Sequence, residues 1–169
     1  MDYALVAKTF DQLQNEGIIG GWAIAGGSAA LFYVEPFVTF DVDIFVAIEQ
    51  RNVLLNLDPF HGRLRALGHD VKGEHVDIGG VPVQIIVPPP GVESEALAQA
   101  QIQGSGDKEI KIVTAEHLMA ICLKIGRPKD KLRLEMFIDE QAFDQARLES
   151  ILARHGLIEK WRHFLTNRD

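Results

Sequence analysis

Hydrophobic positions recur along this chain in two rhythms, and the change from one to the other divides it. Near the amino terminus Leu5, Val6, Phe10 and Leu13 follow helical spacing, with Gly17 as a stop. Trp22 and Ile24 mark a short buried strand that ends at Gly26-Gly27. Ser28 to about Val34 reads as a helix broken at Glu35-Pro36, because proline disfavours helical backbone in the residue before it. Phe40 to Ile48 is the next expected strand, and Asn52 to Leu67 reads as mostly helical with interruptions at Asp58-Pro59 and His61-Gly62. His69 to Ile78 and Val81 to Val87 flank Gly79-Gly80, a hairpin signal. Pro88-Pro89-Pro90 ends that hairpin, Glu93 to Gln101 reads as a helix, GSGDKE as a loop, and Glu109 to Val113 as a further strand. From there the period is helical throughout. Thr114 caps a helix to about Ile125, followed by Lys129 to Asp139, Asp144 to Arg154, and a terminal helix after Gly156 with an apolar stripe of Ile158, Trp161 and Phe164.

Strands crowd the first two thirds and helices fill the last third. That order predicts an α+β (mixed α/β) fold, a mixed β-sheet flanked by helices with a helical carboxy-terminal half. The expected division is residues 1–113 as the α/β core and 114–169 as a helical region packed on it in one unit. A chain of 169 residues is long enough to bury a core without disulfide or metal staples. There is no internal repeat and no low-complexity tract. No stretch approaches the roughly 18 apolar residues of a membrane span, and the amino terminus reads as an acidic amphipathic helix rather than a signal peptide. The single cysteine, Cys122, lies in the apolar run LMAICLKI and reads as a buried, inert thiol. A cytoplasmic location fits these features.

The net charge of -7 is unevenly placed. Residues 1–114 hold 7 Lys or Arg against 15 Asp or Glu, whereas residues 115–169 hold 10 against 9. An acidic chain is a poor candidate for coating DNA or RNA, which relies on counterion release from many phosphates. Lys124, Arg127, Lys129, Lys131 and Arg133, opposed locally only by Asp130, still form a basic cluster suited to one triphosphate or one RNA end. By default such a cluster is a solvated helix face.

The chemistry concentrates in GGWAIAGGSAALFYVEPFVTFDVDIFVAI. Asp41 and Asp43 are two apart at the head of a strand, so both carboxylates point to one face. Val42, Ile44 and Val46 mark the opposite face as buried. Paired carboxylates in that setting call for a cation, and the Gly26-Gly27-Ser28 turn offers backbone N–H groups and a hydroxyl to a phosphate. The plainer alternatives are a solvated strand edge and a glycine pair that only permits a tight turn. His61, His69, His75, His117, His155 and His163 show no metal-ligand spacing, and Ser28 lies in no G-x-S-x-G elbow.

The combination resembles the nucleotidyltransferase superfamily with the DNA polymerase β-like fold. More narrowly, it is similar to the small bacterial nucleotidyltransferases of toxin–antitoxin and abortive-infection type. The residues that carry the resemblance are Gly26, Gly27 and Ser28, then Thr39, Asp41 and Asp43, then Lys124, Arg127, Lys129 and Asp130 in TAEHLMAICLKIGRPKDKLRLEMF. It covers the chain from about Trp22 to the end. The resemblance implies metal-dependent transfer of a nucleoside monophosphate from an NTP to a hydroxyl, with Mg²⁺ (or Mn²⁺) as cofactor. Asp41 and Asp43 would be catalytic metal ligands. Gly26, Gly27, Ser28, Thr39, Arg127 and Lys129 would bind the nucleotide, and Lys124 or Lys129 would neutralise charge during the reaction. The implied acceptor is an RNA 3′ end, a protein side chain or a small molecule such as an aminoglycoside, and the implied partner a cognate antitoxin or toxin. Two positions depart from the pattern. Gln84, in VPVQIIV, stands where the family's third carboxylate lies, and Asp77 replaces it only if the hairpin register puts it on the same face. Phe37 stands where related motifs carry a basic residue. Two further readings therefore stand beside the enzyme: a non-catalytic module of the same fold that binds nucleotide or a partner, and a purely structural interaction domain.

Overall fold

The computed structural model describes residues 3–48, 56–104 and 109–168. Helix α1 (Tyr3–Asn15) precedes strand β1 (Gly21–Ile24), the one-turn helix α2 (Gly26–Ala30) and strand β2 (Val42–Ala47). Helix α3 (Asp58–Ala66), strands β3 (Asp70–Lys72), β4 (His75–Ile78) and β5 (Val81–Ile86), helix α4 (Val92–Ala98) and strands β6 (Gln101–Gln103) and β7 (Ile110–Ile112) follow. Helices α5 (Ala115–Ile125), α6 (Pro128–Asp139), α7 (Gln145–Arg154) and α8 (Ile158–Thr166) complete the chain. The seven strands form one mixed sheet in the order β3-β4-β5-β2-β1-β7-β6, so the α+β architecture is as the hydrophobic periods predict. No helix among the described residues is long and apolar enough to cross a membrane.

Side-chain alternation gives the sheet two differently used faces. Val42, Ile44 and Val46 of β2 are fully buried on one side, beside Trp22 and Ile24 of β1. Phe10 of α1 packs there at a tilt against Trp22 and against Phe60 of α3, with ring centroids 5.7 and 6.4 Å apart. Burying each such side chain contributes about 1.5–3 kcal/mol. The other face carries Asp43 and Phe45 of β2, then Gln84 and Ile86 of β5, paired in parallel register as Asp43↔Gln84 and Phe45↔Ile86. This second face turns toward α4, α5 and α6.

Several boundaries differ from the periodicity. The helix after the glycine pair is a single turn ending at Ala30, and residues 31–34 continue as turns. Strand β2 begins at Val42, leaving Asp41 just ahead of it. The run His69 to Ile78 folds back on itself, because Gly73 takes φ +62° and splits it into the hairpin β3–β4. Asp58-Pro59 starts α3 rather than interrupting it, since proline is suited to the first helical turn, and His61-Gly62 lies within the helix. The first residues of the expected Asn52–Leu67 helix, and most of the GSGDKE loop, lie outside the described residues. The expected Glu93–Gln101 helix stops at Ala98, and Gln101–Gln103 instead pair with β7 as an edge strand.

A carboxylate at the centre of a polar network ties the helices together. Glu95 accepts from Arg154, from His155 Nε2 at 2.8 Å and from His117 Nε2 at 3.2 Å. Arg154 and the two histidines hold the Glu95 carboxyl down to about 2, with the Arg154 hydrogen bond first among the causes. Because an ionised carboxylate only accepts, His117 carries its proton on Nε2, and Nδ1 accepts from Thr114 Oγ1 at 2.8 Å. Thr114 thus occupies the N-cap position of α5 but spends its hydroxyl on His117. Burial pushes the fully enclosed His117 below its usual 6.5, outweighing the opposing pull of Glu95. The unfolded chain therefore binds a proton that the folded one resists, and stability falls as pH drops below about 6.5. His117→Gln is expected to flatten the melting temperature between pH 7 and pH 5.5, which a thermal-melt series at several pH values checks. An unchanged slope would contradict it.

Candidate functional site

The residues singled out by spacing meet where β1 ends and β2 begins. Gly26 takes φ +54°, in the left-handed region that favours glycine. A Cβ on Gly26 would overlap the Asp43 carboxylate, lying 2.7 Å from its Cγ. The adjacent N–H of Gly27 donates to Asp43 Oδ2 at 3.2 Å, and the N–H of Ala25 donates to the Asp43 carbonyl at 2.8 Å. The turn therefore clasps Asp43 by backbone and side chain together.

Ser28 and Thr39 brace the neighbouring residue. The Ser28 hydroxyl, fully buried, donates to the Asp41 carbonyl at 2.7 Å, and the Thr39 hydroxyl donates to the same oxygen at 3.2 Å. Both hydroxyls are thus occupied with placing Asp41. The Asp43 carboxyl holds its proton more tightly than usual, first because it is buried and then because Asp41 is charged nearby. The Gly27 hydrogen bond, Arg133 and Lys129 pull the other way.

The basic cluster of the helical half divides into separate roles. Lys124 Nζ donates to both Glu93 oxygens at 2.8 Å. Arg127 forms a fork with the buried Asp130, through Nε at 2.7 Å and Nη2 at 3.1 Å. Lys129 is exposed on the rim beside Asp43. Arg133 reaches furthest in. Its guanidinium lies 5.5 Å from the centre of the Phe37 ring, and its Nη2 is 2.6 Å from where a Gly27 Cβ would be.

Gly26, Asp43, Arg127, Lys129, Asp130 and Arg133 line a cavity of about 320 Å³ between the sheet and helices α5 and α6, with Phe45, Ile86, Ile121 and Phe137 among its apolar walls, whereas Lys124 does not line it. Glu93, only 7% exposed, also lines it, and neither Glu93 nor Arg133 belongs to the motif read from the sequence. The one sequence signal for Arg133 is the density of charge around Asp130, and Glu93 has none. Cys122 lies in the same wall, with its thiol pushed up to about 12 by burial. Asp77 does share the face of Gln84, since β4 pairs with β5 as His75↔Gln84 and Asp77↔Pro82. Strand β5 separates it from β2, however, and its carboxylate accepts from the Gly80 N–H at 2.8 Å in the hairpin turn. Gln84 Nε2 donates to Glu74 Oε1 at 3.3 Å. A larger cleft of about 710 Å³ opens at the opposite end of the strands, around Trp22, Val87 and Leu97. Its lysine, Lys111, is already bonded to Asp11 and Gln14, and no acidic residue among the described residues lines it.

The mixed sheet presents two aspartates at a strand head, beside a glycine turn and under a helical half, and its fold is similar to that of solved nucleotidyltransferase-like structures. The chain superposes on the antibiotic-resistance factor ANT(2'')-Ia with a TM-score of 0.52 and 16% identity, over 96% of this chain and 99% of that one. It superposes on an antigenic nucleotidyltransferase-like protein from Paracoccidioides brasiliensis with a TM-score of 0.58 and 16% identity, over 96% of this chain and 90% of that one. At that identity the likeness is one of fold. No family model matches the chain, and no curated protein does.

Proposed function

We propose that the protein is a nucleotidyltransferase that moves a nucleoside monophosphate from an NTP to a hydroxyl acceptor. The observation that carries this reading is the clasp of the Gly26-Gly27 turn on Asp43 beside Asp41, facing a cavity rimmed by Lys129 and Arg133. The Asp41 and Asp43 carboxylates would hold one divalent ion, Mg²⁺ or Mn²⁺. The donor set does not fit a second ion in the same way. Gln84 faces Asp43 in the sheet register, and no three Asp, Glu, His or Cys side chains among the described residues come together to hold one. A bound ion would polarise the reacting phosphoryl group. Asp41 and Asp43 would orient it, the apolar walls would exclude water, and Lys129 with Arg133 would offset charge that builds on the phosphates.

The resemblance to toxin–antitoxin nucleotidyltransferases supports an RNA end or a protein side chain as acceptor, with a cognate antitoxin or toxin as partner. Incubation with labelled NTPs, Mg²⁺ and cell lysate or total RNA is expected to label an acceptor. Labelling with none of the four NTPs would overturn the enzyme reading. A second reading is supported by Gln84: a module of this fold that binds nucleotide without turnover. It predicts that Mg²⁺-NTP raises the melting temperature while no acceptor is labelled.

A further inference from the structure

We propose that Arg133 grips the phosphates of the nucleotide above the Gly26-Gly27 turn, acting as the cation beside Phe37, where related motifs carry a basic residue. The inference rests on the nucleotide-binding reading and deepens it. Three observations support it. The Arg133 guanidinium is set close over the turn, its Nη2 within 2.6 Å of a Gly27 Cβ position, so any group held there by the turn meets it. It also lies over the ring of Phe37, the residue that stands where related motifs carry a basic side chain, and a guanidinium held over a ring keeps its charge and its fork of donors. Its charge is less committed than that of Arg127, although a side-chain hydrogen bond joins it to Cys122. Arg127 has taken Asp130 in two hydrogen bonds, whereas the nearest approach of Arg133 to Asp130 is 3.8 Å. Cation chemistry that Phe37 cannot supply thus returns from α6, about one helical turn beyond Asp130.

The ligand class follows from the geometry. A planar fork over a glycine turn suits a chain of phosphate oxygens, and it supplies positive charge without a metal. Lys129 on the rim adds attraction.

Binding of inorganic triphosphate in EDTA, followed by calorimetry, tests the proposal with no turnover involved. Wild-type protein is expected to bind. Arg133→Gln is expected to weaken binding about tenfold or more, the scale of lost charge-assisted hydrogen bonds. Arg133→Lys is expected to fall between them, and Phe37→Leu to weaken binding while leaving the charge in place. Thermal melts of each variant show whether it is folded. Equal binding by wild type and Arg133→Gln, or no binding by wild type in EDTA, would overturn the role of Arg133. Mg²⁺-NTP titration of the wild type separates the two levels. Binding there, with no effect of Arg133→Gln on triphosphate, sinks this inference alone, whereas no binding of any NTP sinks the nucleotide reading as well.

Discussion

Gly26→Ala is expected to abolish nucleotide transfer and to destabilise the fold at the same time. At φ +54° an alanine is strained, which costs roughly 1–3 kcal/mol when the surrounding structure holds it there. The new methyl also meets the Asp43 carboxylate, with Cγ only 2.7 Å away, rather than open space. Asp43 has little freedom to retreat, because its carbonyl is bonded to Ala25 and its Oδ2 to Gly27. Either the carboxylate swings away or the turn opens, and a displacement of about 1 Å at a reacting centre lowers rate about 10²-fold. Labelling assays and thermal melts together check this. Near-wild-type values in both would show that the turn does not position Asp43. Gly27→Ala is the contrasting control. It has no positive φ, and its Cβ meets only the far end of the Arg133 side chain, so the fold is expected to stay near wild type in stability while Arg133 is displaced from the turn.

Asp43→Asn is expected to do the opposite to stability while also removing activity. Burial and the nearby Asp41 charge raise the Asp43 carboxyl above its usual 3.8. A carboxyl that holds its proton more tightly when folded than unfolded opposes folding once pH rises past the unfolded value. In metal-free buffer the wild type therefore carries this cost at neutral pH and loses it in acid, where both states are protonated. Asparagine removes the charge yet can still accept from the Gly27 N–H. Its melting temperature is expected to exceed that of wild type at pH 7. That advantage should vanish at low pH. Transfer is expected to fall by about 10³-fold, on the scale of losing a preorganised electrostatic group. A lower melting temperature would show that Asp43 is stabilised in place by Arg133 and Lys129, and retained transfer would remove it from the site. A gain in stability with a loss of activity is the usual sign of a strained functional residue.

The elements whose information is local were the legible ones. Amphipathic spacing located α1 and α5 to α8, and the Gly79-Gly80 hairpin formed where the glycines stand. The elements missed depend on distant partners. Residues 101–103 form a strand only because β7 runs beside them, and Ile102 is 60% exposed, so no burial pattern announces it. The turn at Gly73 was available in the sequence, but the apolar alternation on either side concealed it. The helix after the glycine pair shortened because Tyr33 and Val34 are drawn into tertiary contacts, Tyr33 donating its hydroxyl to the Val113 carbonyl at 3.1 Å.

At the site the same division holds. The sequence by itself determined that Asp41 and Asp43 sit together at a strand head and that a glycine pair precedes them, since both follow from two-residue periodicity and the conformational range of glycine. It also marked Lys124 to Arg133 as the cationic segment. Only the tertiary structure decided which members of that segment face the aspartates. Lys124 turned to Glu93 and Arg127 to Asp130, while Arg133 reached over the turn onto Phe37. It also decided that Gln84, not Asp77, lies beside Asp43. Strand register and helix packing are long-range choices, made by which apolar faces bury one another, and a run of residues read in order does not contain them.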